Sequence, residues 1–119
     1  MEKNKKENLI NNCWFEKGYI PKYLQLNDNQ YETLWNMHPV KQNKVLIYNK
    51  LVKVPRWQQA YGKNYSFTGN TVIAKPLTEQ LKKYIDWANK NELENGRTGG
   101  LNGILINWYQ DGEHYIGWH

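Results

Sequence analysis

One cysteine, Cys13, stands among the 119 residues, so no disulfide can form within the chain. That usage fits a reducing, intracellular setting, cytoplasm or nucleus, and Cys13 itself reads as a small buried or half-buried side chain. No long apolar run is present and the mean hydropathy is −0.90, which excludes a helical membrane span and argues against a membrane partner. The segment Met1–Glu7 is charged with no apolar stretch behind it, so no signal peptide is expected. Acidic residues are missing altogether between Glu32 and Glu79. That gap holds Lys41, Lys44, Lys50, Lys53, Arg56, Lys63 and Lys75, while the remainder of the chain is slightly acidic.

What is abundant is aromatic. Six Trp, nine Tyr and two Phe make 14% of the chain, too much for a disordered tail, and the length suits one domain with one core. Trp35, Tyr48, Trp57, Tyr61, Tyr65 and Phe67 are interleaved with the bases of the acid-free segment. Lysines meet phosphates and aromatic faces stack on unpaired bases, so this segment reads as a nucleic-acid footprint. Lysine richness alone also follows from an AT-rich coding sequence, but that bias does not remove Asp and Glu from one segment only.

Along the chain, residues 1–13 read as a polar lead and 14–119 as the domain. Gly18 and Pro21 make Trp14–Leu26 an irregular entry. Asp28 is placed to cap a short helix carrying Tyr31, Leu34 and Trp35 on one face, stopped by Pro39. Residues 45–54 read as a hairpin turning at Asn49–Lys50. Strands are expected at Trp57–Tyr61 and Tyr65–Thr68, and a helix from Pro76 to about Asn89, with Leu77, Leu81, Tyr84, Ile85 and Ala88 facing a sheet. A strand over Leu101–Tyr109, a turn at Gln110–Gly112 and a second strand over His114–His119 complete the pattern. His38 reads as a structural or solvated histidine and His114 as a solvated one.

Three motif blocks then carry a resemblance. Pro55-Arg56-x-Gln58, Tyr65-x-Phe67-Thr68-Gly69 and Asn107-x-Tyr109-x-Asp111-Gly112 followed by Ile116-Gly117-Trp118-His119 occur in this order. Together they resemble the AlkB family of nucleic-acid dealkylating dioxygenases. The resemblance implies an α+β chain forming the N-terminal part of a double-stranded β-helix (jelly roll), with a hairpin and flanking helices, and incomplete as it stands. It implies Fe(II) and 2-oxoglutarate as cofactors, with alkylated DNA or RNA as substrate. Asn107 and Tyr109 would hold 2-oxoglutarate; on composition alone Tyr109 reads as a core aromatic and Asn107 as an edge polar group. His119 would be the first histidine of the two-histidine, one-carboxylate iron site, the alternative being an ordinary terminal histidine.

On the substrate side, the resemblance gives Arg56, Gln58, Tyr65, Phe67 and Thr68 to the pocket for a flipped base. It gives Ile47, Tyr48 and Asn49 to the hairpin that fills the gap the base leaves. Tyr48 reads equally as a cross-strand aromatic. The remaining iron ligands and the arginine for the cosubstrate's far carboxylate would lie beyond residue 119. The chain alone is therefore expected to be inactive, with a separate C-terminal half chain as candidate partner. The competing expectation is a non-enzymatic nucleic-acid-binding remnant using the basic aromatic segment 41–75.

Overall fold

The computed structural model describes residues 4–67 and 69–118. Among these residues it is a mixed α+β structure of eight short strands, two α-helices and two short 3-10 helices, and each sheet has two antiparallel strands. No described helix is long and apolar enough to cross a membrane. The radius of gyration, 16.5 Å, exceeds the ~13.5 Å of a compact chain of this length. The architecture is compatible with part of a domain.

The central pairing joins β5 (Trp57–Tyr61) to β8 (Ile104–Trp108), with Trp57 opposite Trp108, Gln58 opposite Asn107 and Tyr61 opposite Ile104. Tyr61 and Trp108 meet Leu81 in the buried core, and Leu34, Trp35, Met37, Trp57, Leu77, Ile104 and Ile106 pack around them. Leu81 comes from α2 (Glu79–Glu94), which also buries Ile85 and thus covers the sheet as its apolar spacing predicts. The helix begins later than Pro76, because the Thr78 hydroxyl accepts from Leu81 N at 3.2 Å and so caps the first turn. It continues past Asn89 to Glu94. The shorter helix, α1 (Asp28–Asn36), is capped by Asn27 rather than Asp28. Asn27 Oδ1 accepts from Gln30 N, and Gln30 Oε1 accepts from Asn27 N, a reciprocal box that satisfies two otherwise unpaired donors.

β3 (Lys44–Ile47) and β4 (Lys50–Lys53) form the expected hairpin, but its turn lies one residue earlier, at Tyr48–Asn49. Both turn residues are left-handed, φ 46° and 63°, the geometry whose twist matches paired strands. β6 (Tyr65–Phe67) and β7 (Asn70–Val72) close through Gly69. At Gly62, φ +83°, an added Cβ would stand 2.6 Å from the Asn102 carbonyl oxygen. Glycine is needed there by backbone angle and by space alike.

Three further expectations are corrected. Residues 5–8 are not a frayed lead: β1 (Lys5–Asn8) pairs with β2 (Trp14–Lys17), replacing the start of the irregular entry as well. Their connection passes through left-handed Asn11 and Asn12 and leaves Cys13 exposed, not buried. Third, residues 114–118 form no strand. The Asp111 turn carries Tyr115 to the Pro55 carbonyl, a 2.7 Å backbone bond, and away from any strand ladder.

Nothing in β1 or β2 alternates apolar and polar; what docks the pair on the fold is Arg97, just past α2. Its guanidinium donates to Glu92 at 2.9 Å, lies 3.6 Å from Glu16 and covers the Trp14 ring at 4.5 Å, with Lys6 also over that ring at 4.6 Å. Arg97→Ala removes a cation–π contact of about 1 kcal/mol, and amide exchange across Lys5–Lys17 should quicken about fivefold with β5 and β8 unaffected. The same contact is pH-dependent. The Asn4 amide, aided by Asn91 and Arg97, holds the Glu16 carboxyl below its ordinary range. A lowered carboxylate contributes fully above its unfolded value and loses that contribution as pH falls through the folded one. Exchange of the Lys5–Lys17 amides read against pH should therefore show the hairpin loosening on acidification, and Glu16→Gln should abolish that dependence.

Candidate functional site

Antiparallel register sets Gln58 beside Asn107, and Arg56, just before β5, reaches both. Arg56 Nε donates to Asn107 Oδ1 at 3.3 Å. With its amide oxygen toward the guanidinium, Gln58 accepts from Nε at 3.2 Å and Nη2 at 3.0 Å. Arg56 Nη1 donates further, to the Tyr115 carbonyl at 3.2 Å. Gln58 is only 2% exposed, so its partners matter: a buried amide left unpaired would cost about 1–3 kcal/mol. The result is a planar cation locked between two amides, a set of fixed donors and acceptors able to read the polar edge of a heterocycle.

Asn107 and Tyr109 line one cleft of about 200 Å³ with Tyr31, Leu34, Trp35, Ile106 and Trp108. That is smaller than the ~300 Å³ lower bound of drug-sized pockets and suits a small solute. Tyr109 lies just past the end of β8, half in solvent, so it meets Asn107 at the cleft rather than as a strand neighbour. The cleft is mostly apolar, walled by α1 on one side and β8 on the other.

The other expected residues are placed separately. Tyr65 and Phe67 on β6 have ring centroids 5.6 Å apart, and Tyr65 lines a different cleft with Lys63, Asn64 and residues 100–105. No hydrogen bond or ring contact among the described residues joins this pair to Arg56 or Gln58. Ile47, Tyr48 and Asn49 form the tip of the β3–β4 hairpin. Tyr48 is 97% exposed and lies in the turn itself, so it is not a cross-strand aromatic. Lys44, Lys50 and Lys53 flank it on the two strands. Thr68 and His119 lie outside the described residues.

Sequence reading missed the aromatic stack behind this site. His38, at the end of α1, stacks on Trp57 at 3.9 Å, and His114 meets Trp57 edge-on at 5.1 Å. His114 is half-buried, not solvated, and its Nδ1 accepts from Gln110 N at 3.1 Å. His38 places Nδ1 2.8 Å from the Pro39 carbonyl. Nothing in the spacing of these residues announces a stack built from three separate segments. Also unforeseen is Gln59, 8% exposed, whose Nε2 donates to the carbonyls of Ala60 and Ile73. For metal, no three His, Cys, Asp or Glu side chains converge among the described residues. Iron(II) therefore finds no donor set there.

No family model matches the chain. It is similar to the DNA oxidative demethylase ALKBH2 of Bos taurus, 37% identical over 79 residues, covering 64% of this chain and 27% of that protein. It is also similar to the DNA oxidative demethylase ALKBH2 of Homo sapiens, 36% identical over 80 residues, covering 64% and 28%. The chain thus spans less than a third of the length of these curated relatives. By these similarities the chain is related to the AlkB family.

Proposed function

We propose that this chain is the base-engaging portion of an AlkB-type DNA demethylase, working on alkylated bases inside the cell, in cytoplasm or nucleus. One observation carries the reading: Arg56, Gln58 and Asn107 converge into one hydrogen-bonded group in a chain 37% identical, over its matched segment, to a DNA oxidative demethylase. Arg56 and Gln58 present the polar edge that reads the base, with Tyr65, Phe67 and Thr68 contributing to its pocket. The exposed tip Ile47–Tyr48–Asn49 enters the gap left by the extruded nucleotide, where an aromatic wedge recovers part of the few kcal/mol of lost stacking. DNA and RNA share the phosphates and base edges that this arrangement engages.

Asn107 and Tyr109 would hold 2-oxoglutarate in the cleft beside α1, and His119 would supply one ligand to Fe(II). A separate C-terminal half chain, as partner, would contribute the remaining ligands and strands of a jelly roll. Bound iron and 2-oxoglutarate, with O2 as the oxidant, would supply the chemistry that removes an N-alkyl group from a base. What this chain's own residues do is bind, orient and hold the substrate.

The test combines binding with complementation. Contact with three to five phosphates gives single-stranded DNA binding a log–log salt slope of about −2 to −3.5. An oligonucleotide carrying an N-methylated base should bind more tightly than its unmodified counterpart. Adding a C-terminal half chain of an AlkB-type domain should give formaldehyde release from that oligonucleotide. Salt-dependent binding with no methyl preference and no restored turnover would replace the enzyme reading by a plain nucleic-acid-binding one.

A further inference from the structure

The half-buried guanidinium of Arg56 is held by partners from three segments, and only two of them belong to the paired strands. The third, the Tyr115 carbonyl, lies in a stretch without strand pairing. That stretch is fixed by its own small network. Asp111 Oδ1 accepts from Glu113 N at 2.9 Å, the Asp111 carbonyl accepts from His114 N at 3.1 Å, and His114 Nδ1 accepts from Gln110 N at 3.1 Å. Tyr115 N then donates to the Pro55 carbonyl at 2.7 Å, bringing the Tyr115 carbonyl onto the guanidinium. His114 both closes the turn and leans on Trp57 of β5.

We infer that His114 is a positioning residue: its Nδ1, as an acceptor, folds the Gln110–Tyr115 turn so that Tyr115 clamps Arg56 in the orientation that reads the base. The clamp rests on the base-pocket reading of Arg56 given above. Accepting from a backbone N–H requires the unprotonated nitrogen at Nδ1, which puts the ring proton on Nε2. The ring face against Trp57 and the acceptor at Nδ1 are separable properties, so substitution can tell them apart. Asparagine places an acceptor oxygen close to where Nδ1 stands and gives up the ring. Phenylalanine keeps a ring and gives up the acceptor.

The experiment uses the full chain with 15N-labelled arginine and a single-stranded oligonucleotide carrying one N-methylated base. In the wild type and in His114→Asn the Arg56 Hε resonance is expected to be single and slowly exchanging. In His114→Ala and His114→Phe it should shift and exchange quickly, and affinity for the methylated oligonucleotide should fall about tenfold, the effect of losing one hydrogen bond to a charged group. An Hε signal that survives in His114→Phe but is lost in His114→Asn would overturn the proposal, because packing against Trp57 would then be what matters. An Hε signal unchanged in all three variants would overturn it as well. A signal that moves as expected while affinity stays constant supports the clamp and overturns the base-pocket reading of Arg56 instead. Far-UV circular dichroism identifies any variant that has unfolded, and the His114→Asn and His114→Phe pair stays decisive because each preserves one half of the native contact.

Discussion

Trp108→Ala should lower the stability of the chain by about 3–5 kcal/mol, the usual cost of emptying a buried indole site. Trp108 is 4% exposed and joins Tyr61 and Leu81 at the centre of the core. Its Nε1 also donates to the Leu34 carbonyl at 3.0 Å, in the last turn of α1. The substitution therefore opens a cavity and takes from a helix-end carbonyl one of its two donors, leaving it only Met37 N. Small domains hold roughly 5–15 kcal/mol in all, and no large side chain among those described is buried beyond 98%. The low end of that range applies to so thin a core, so the variant should be largely unfolded by urea concentrations that leave the parent intact. Urea melts followed by far-UV circular dichroism measure this, with Trp118→Ala as reference. Trp118 is fully exposed, and its loss should change stability by no more than about 0.5 kcal/mol. Equal midpoints for the two variants would mean that the core is elsewhere.

Arg56→Ala carries the largest expected functional effect. It should erase the preference for a methylated over an unmodified oligonucleotide, a loss of about ten- to hundredfold in affinity for the methylated strand. Two amides, Gln58 and Asn107, lose their charged partner at once. Arg56→Lys separates charge from shape. Lysine keeps the positive charge but not the planar fork that engages both amides and the Tyr115 carbonyl. The salt slope of binding should stay near the parent value in Arg56→Lys while the methyl preference disappears. Lys53→Ala gives the opposite pattern, weakening both strands alike. Parent-like preference in Arg56→Lys would show that only charge matters at this position.

What could be read ahead of the structure follows from how local each determinant is. β5 was legible in full, since Trp57–Tyr61 is a short aromatic and buried run between Pro55 and Gly62. α2 was legible from its spacing of Leu81, Tyr84 and Ile85, although Thr78 and not Pro76 sets its start. β1 was illegible because Lys-Lys-Glu-Asn has no strand signature, and its support comes from Arg97, remote in sequence. The same division holds at the site. Arg56, Gln58 and Asn107 stand out as residue types within motifs, but only the β5–β8 register sets Gln58 against Asn107. Tyr65 and Phe67 share a strand face, and Tyr65 also shares a cleft with Lys63, which no motif spacing states. The Trp57 stack with His38 and His114 depends on side-chain packing between segments, and periodicity carries no trace of it.

Three of the sheets pair neighbours in the chain, whereas β5 and β8 meet across everything between Trp57 and Trp108. Hairpins close in about 1–10 μs, but a loop this long must be gathered before its first contact stabilises anything. During synthesis, β1–β2, β3–β4 and β6–β7 can each form as they emerge from the ribosome. Trp35 and Trp57 are already out when Tyr61 and Leu81 emerge, but Trp108 is not, so the nascent chain holds its core open until β8 arrives.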